Sequence, residues 1–456
     1  MANLKWNNTF SEKERDLRWK LVRDYMRSKG LDAMLALGGG IWYVDNGRYV
    51  QMETFDRYLS GWGSGATVLF PLESEPVLMG APEAEVIRWT SKTPKEELPW
   101  IKDVRTSASA ETIATAIKEK GLERGRIMTG LYGYGTQGAH GPDQWTSTVW
   151  GTGSVWSGIV KRIPDCKFEN LENDLLLQIA VCSEERLAMV RQGAAALEEA
   201  MTAVAKAVRI GASALDVYLA IINTTWRNGA VPSEPYVTAG PFNLSHGELW
   251  PHGFGSPRIL EAGDVVNCGT CVFAYVGGQE VQSQITVAIP PVHKETVECA
   301  RIARETYEAG LRALQPGRPF REVAEAMSST MESAGAYAGS PNIHDLAPHS
   351  RIMGGGGSQE SIRIREENYK KQFTKEDYEV FQKRTGRGVR TQRTSGYGRS
   401  REALDNILKP GMVFEFEPTA CIGNHRVNVG GTVIVTETGN EELNEMGTRM
   451  RIVGEV

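Results

Sequence analysis

Apolar and polar positions alternate along this chain in blocks that change period several times. "SEKERDLRWKLVRDYMRSKGLDAMLAL" predicts an amphipathic helix from about residue 11 to 29 and then a strand, with Ser11 and Glu14 spaced as a capping box. "ATVLFPL" and "PVLMG" predict a hairpin, and "IMTGLYGY" begins another strand. This alternation of helix and strand makes roughly the first 175 residues an α/β unit. The register changes at "VCSEERLAMVRQGAAALEEAMTAVAKAV", where Ser183, Glu184 and Glu185 open a helix whose apolar stripe runs for more than twenty residues. A domain boundary is expected at 178–183. Beyond it come a helix at about 213–228, a hairpin at 261–289, a helix at about 293–315, and "PFREVAEAMSSTMESAG". The strands "GMVFEFEPTACIG" and "GGTVIVTE" close the pattern.

The hairpin "EAGDVVNCGTCVFAYVGGQEVQSQITVAI" raises a chemical question. Its apolar alternation runs through Val265 and Val266 and resumes at Ile285 and Val287, yet Asn267, Glu280, Gln282 and Gln284 sit between. Buried strands rarely carry polar side chains without a partner or a task.

Composition narrows the options. A chain of 456 residues is too long for one core, and a net charge of -5 argues against general nucleic-acid binding. A polar start and the lack of any long apolar run point to a cytoplasmic protein that does not enter a membrane. The six cysteines are expected to be reduced, and the lone Cys268-x-x-Cys271 pair is weak evidence for zinc. "DQWTSTVWGTGSVWSGIV" holds three of the eleven tryptophans, as a packed sheet face or, more sharply, a ligand lining. The basic, glycine-led stretch 351–402 reads as a solvated insertion, with a mobile lid or partner-subunit contact as the functional alternative.

Five segments in order resemble a known family. "CSEERLAMVRQGAAALEEAM", "AGPFNLSHGELWPHGFGSPRILEAGDVV", "GLRALQPGRPFREVAEAMSSTMESAG", "LKPGMVFEFEP" and "GGTVIVTETGNEEL" follow the plan of the creatinase, prolidase and methionine aminopeptidase (M24) family. The resemblance covers residues 178–456. It implies an α/β N-terminal domain (1–178) followed by an α+β pita-bread catalytic domain (179–456) carrying the 351–402 insertion. It also implies a homodimer.

The family's metallopeptidases hold two metal ions with two Asp, one His and two Glu. By the resemblance, the first Asp falls around Asn267 to Gly269, the second on Gln284, and the last Glu on Gly430–Gly431, while His349 and Glu417 keep ligand positions. Two ligands of five do not hold a dinuclear site. The resemblance therefore leans to the metal-independent creatinase-like members. His252, eleven residues before Gly263-Asp264, has the spacing of their catalytic base, with His246 as the alternative. Glu417 is expected to partner that base and His349 to act as a second proton donor or substrate contact. Glu280, Gln284, Asn267 and His246 are the expected substrate-binding groups. Arg258 is expected to brace the loop, and His344 to lie at the surface.

Without a Lewis acid an unactivated peptide bond is a poor target. The expected function is thus metal-independent, His-mediated cleavage of a non-peptide bond in a small molecule, as a C–N hydrolase of the amidinohydrolase type. The alternatives are a C–C or C–O lyase (elimination or retro-aldol) on an aromatic or apolar substrate, and a non-catalytic binding module. A metal enzyme using Glu280, His349 and Glu417 is a further rival. No cofactor is expected.

Overall fold

The computed structural model of the chain describes residues 9–37, 43–45, 48–50, 55–62, 66–95, 98–130, 152–170, 173–232, 235–241, 256–347, 353–355, 358–372, 375–376, 379–380, 383 and 404–455. The first helix, Glu12–Lys29, begins where Ser11 Oγ accepts from the Glu14 backbone N–H at 3.3 Å. Only half of the expected capping box forms, because the buried Glu14 carboxylate turns inward to Arg18 Nε at 2.7 Å. Gly30, in the left-handed region at φ 63°, ends the helix and aims the chain into strand Ala33–Ala36.

That strand lies in a six-stranded sheet, antiparallel to Thr67–Pro71 and parallel to Arg126–Gly130. All four of its residues are buried, since Met34 and Ala36 join one apolar cluster and Ala33 and Leu35 join another. Helices on both faces explain why the segment reads as a continuous apolar run. Trp156 packs against Phe168 with ring centroids 4.8 Å apart, and it does so from helix Thr152–Arg162, whereas a sheet face was expected. Trp145 and Trp150 lie outside the described residues.

Helix Glu184–Ala207 is capped by Ser183, and helix Ala214–Arg227 by a complete Ser213/Asp216 capping box. The first of these backs onto the long hairpin of strands Val265–Val276 and Gln279–Ala288, which turns through Gly277 and Gly278 at φ 57° and 80°, and the second packs against the first. Gly193 in the first of these helices lets Val281 approach, since a Cβ there would meet Val281 Cγ2 at 2.7 Å. Val266, Cys268, Val276, Val281, Ile285 and Val287 enter the apolar cluster beneath that helix. By the two-residue period of a strand, Glu280, Gln282, Gln284 and Thr286 present the other face. Cys268 pairs with Ile285 and Val272 with Ser283, so a bulge adds two residues to the first strand.

The hairpin's polar face meets a second layer. A five-stranded sheet runs Gly354–Gly355, Ile343–Asp345, Val413–Phe416, Gly431–Val435, Asn440–Glu442. Helices Lys294–Ala313 and Phe320–Ser333 cover its outer face, where Phe414 stacks on Phe320 and Phe416 meets Tyr307 edge-on. Tyr337–Ala338, Thr419–Ile422 and His425–Asn428 form a small third sheet.

The 351–402 stretch is only partly the solvated insertion expected of it. Gly354–Gly355 is an edge strand, and helix Gln359–Gln372 buries Ile364 against Tyr337 and Cys421. Gly355 lets that edge close over Ala324, and Ile364 docks a helix that is mostly polar. Among the described residues the cysteines are free, and burial pushes the Cys268 thiol far up, away from metal-binding thiolate character. No described helix is long and apolar enough to cross a membrane.

Candidate functional site

Glu417 stands one residue past strand Val413–Phe416, with its backbone N–H donating to the Asn342 carbonyl at 2.9 Å. This hydrogen bond ties the chain end to the segment that carries His344. The Glu417 side chain is 4% exposed, and its Oε1 lies 3.3 Å from His344 Nε2. Its Oε2 accepts from Gln282 Nε2 at 3.3 Å. A carboxylate, an imidazole and an amide from three separate segments thus converge in the buried layer between the sheets.

His344 corrects the surface placement expected for it, being 1% exposed. Strand Ile343–Asp345 holds it inside, and Asp345 braces the following turn by accepting from the backbone N–H groups of Ala347 and Met353. His344 Nδ1 faces the Asp345 carbonyl at 2.9 Å. A carbonyl can only accept, so Nδ1 carries a hydrogen. Nε2 and Glu417 then face each other with one proton available between them, on the ring or on the acid.

Gln284 lies two residues along from Gln282 and does something different. Its Nε2 donates to the Val429 carbonyl at 2.7 Å, and its Oε1 accepts from Asn428 Nδ2 at 3.3 Å. A Cβ built at Gly430 would collide with Gln284 Nε2 and with the Phe416 carbonyl. The space that a side chain at 430 would need is therefore already filled. Of the other expected substrate groups, Asn267 is buried, with Oδ1 2.6 Å from the Thr286 hydroxyl and Nδ2 without a partner among the described residues. Glu280 is buried at 1% exposure near the hairpin turn. His246, His252 and His349 lie outside the described residues.

Arg258 grips the buried Asp264 through two hydrogen bonds of 2.9 and 2.8 Å. Asp264 also accepts from the Glu261 backbone N–H, so the pair fixes the entry to the hairpin. Sequence reasoning missed His344 and read Gln284, where the carboxylate's partner is Gln282. The available signal was the two-residue period, which puts residues 282 and 284 on one face without saying which meets Glu417.

A family model described as "Metallopeptidase family M24" matches residues 188–437. Among solved structures, the chain is similar to an X-Pro aminopeptidase of Thermotoga maritima, with 16% identity, 95% of this chain and 99% of that one covered, and a TM-score of 0.65. It is equally similar to a Xaa-Pro dipeptidase of Bacillus anthracis, with 16% identity, coverage of 96% and 99%, and a TM-score of 0.65. Methionine aminopeptidase 1 of Saccharomyces cerevisiae is 24% identical over 155 residues, which is 34% of this chain and 40% of that enzyme.

These relatives are named as peptidases, and this corrects the expected creatinase-like cleavage of a non-peptide bond by hydrolase or lyase chemistry. The same finding leaves the non-catalytic module without support. The error was physical: missing metal-ligand carboxylates made an unactivated peptide bond read as a poor target. A general base and an amide donor can also supply water activation and charge stabilisation.

Proposed function

The chain belongs to metallopeptidase family M24, matched over more than half its length, and we propose that it hydrolyses an amide bond in a short peptide. Its fold is the mixed α/β pita-bread arrangement of that family. One observation carries the reading: a buried carboxylate held between an imidazole and a side-chain amide, each at 3.3 Å.

Among the described residues, the donors around Glu417 do not fit the two metal ions that the family implies. Hard divalent ions need several anionic oxygens at close range. Around Glu417 the hairpin offers the neutral amides of Gln282 and Gln284, Gly430 has no side chain, and Gln284 fills the space beside it. No catalytic step is routed through such a centre.

The proton chemistry is assigned to Glu417 and His344. With the proton on Nε2, Glu417 is anionic and accepts from both His344 and Gln282. It takes a proton from water as the water oxygen bonds to the amide carbon. The resulting tetrahedral centre expels the amine as the C–N bond breaks, and the His344 imidazolium supplies the amine's proton. Gln282 holds the carboxylate in line. The dipeptidase activity named for one solved relative makes a dipeptide the favoured class.

The test is incubation of the purified chain with Xaa-Pro dipeptides, other dipeptides and methionyl tripeptides, read by mass spectrometry. Cleavage that disappears in Glu417→Gln is expected. Intact peptides across the panel with folded wild-type protein overturn the reading.

A further inference from the structure

A second cluster of ligand-type side chains sits apart from Glu417, where helix Lys294–Ala313 begins against strand His425–Asn428. His293, Glu295 and His425 bring one imidazole nitrogen or carboxylate oxygen each to within 4.8 Å of one another. Among the described residues it is the one grouping of three or more His, Cys, Asp or Glu side chains with that spacing. The cluster opens on a cavity of about 570 Å³, whose lining also includes Asn368 and Lys371 of helix Gln359–Gln372.

The rings of His293 and His425 are stacked, 4.2 Å between centroids and 4° from parallel. His425 Nε2 lies 3.4 Å from Glu295 Oε2, while its Nδ1 contacts the Thr296 hydroxyl at 2.9 Å. When Nδ1 donates to that hydroxyl, Nε2 turns a lone pair towards the carboxylate. In that tautomer Nε2 and the carboxylate oxygen are two ligand atoms aimed at one another, close enough for a cation to bridge. Thr296 acts on the second ring nitrogen, as an orienting partner does in metal sites. Besides its stacking on His425, the His293 ring accepts a long 3.3 Å hydrogen bond from the Glu295 N–H at its Nδ1, which is weak enough for a metal to displace.

We propose that His293, Glu295 and His425 bind a divalent cation of the zinc class, with the open coordination position facing the cavity. Two imidazoles and one carboxylate form a donor set suited to zinc, whose bonds of about 2.0–2.2 Å require the three donor atoms to draw in to about 3.3 Å from one another. His293 and Glu295 are partly exposed and can make that movement, whereas His425 is fixed in its strand. Lys371 and Lys294 line the same cavity, so the open position suits water or a small anion. The bound ion cross-links the start of the helix to the strand, a staple unrelated to the Glu417 layer.

The test uses the full chain after chelator dialysis, titrated with zinc by calorimetry and with cobalt by visible spectroscopy. One zinc per chain and cobalt d–d bands are expected, with affinity falling at least about tenfold in His293→Ala and in Glu295→Gln. Both positions are partly exposed, so these variants keep the fold even if His425→Ala does not. Glu417→Gln should bind zinc as wild type does. Absence of binding overturns the proposal. So does binding that survives in His293→Ala and Glu295→Gln, or binding lost in Glu417→Gln alone.

Discussion

Gln284 occupies the space that a side chain at Gly430 would need, while an isolated backbone bridge joins the two residues. The position without a side chain faces one whose side chain fills the gap. The pair should therefore behave as a unit under mutation. Gly430→Ala forces the new methyl into Gln284 and into the Phe416 carbonyl, an overpacking cost of about 1–3 kcal/mol. Gln284→Ala in the same chain removes one obstacle and leaves the other, so the penalty should soften without vanishing. A double-mutant cycle read from urea midpoints checks this, and strict additivity would show that the contact is absent.

His344 and Glu417 should fail together. Removing the ring by His344→Ala takes the imidazole partner from a buried carboxylate, and loss of one member of such a pair costs about 3–5 kcal/mol. Turnover of a cleaved peptide should fall by about 100- to 10,000-fold in Glu417→Gln, which keeps shape and removes the base. Thermal melting beside initial rates separates the two effects.

Arg258 should matter beyond its partial exposure. Arg258→Ala strands the buried Asp264, and the expected loss is about 1–3 kcal/mol, moderated by the Glu261 N–H that remains. Arg258→Lys should recover only part of it, because an ammonium cannot reproduce the two-pronged contact. Denaturant titration of the three proteins decides.

His425 sets a pH dependence in metal-free protein. Burial lowers its pKa from the ordinary value of 6.5, with His293 adding to the effect and Glu295 opposing it. The unfolded chain then binds more protons than the folded one between the two values. Its contribution is complete above about 6.5 and is lost as pH falls through the folded value. Stability measured from about pH 7.5 down to about pH 5 should decline, and His425→Gln should flatten that part of the curve.

Much of the fold was legible because it rests on local rules. Ser183 opens the helix it was expected to open, and the helices expected at 213–228 and 293–315 span Ala214–Arg227 and Lys294–Ala313. Ser11 was half right, because Glu14 is drawn away to Arg18, a tertiary contact that no capping pattern encodes. The site was harder to read. Glu417 declared itself through "FEFEP", but its neighbours come from segments about seventy and a hundred and thirty residues upstream in sequence. His344 looked ordinary because nothing local says that a strand of three residues will be covered on both sides. The docked helix Gln359–Gln372 was hidden for a related reason: its charge hides the one isoleucine that anchors it.

The irregularity in the long hairpin has a consequence in simple arithmetic. Side chains on a strand alternate, so an inserted pair leaves odd and even positions on the sides they already had. Val266 and Cys268 before the insertion, and Val276 after it, all reach the same oily interior. Excising two residues there would shorten the ribbon and preserve its inside and outside. Excising one would turn one arm over, sending valines towards the glutamines and leaving polar groups against the helix.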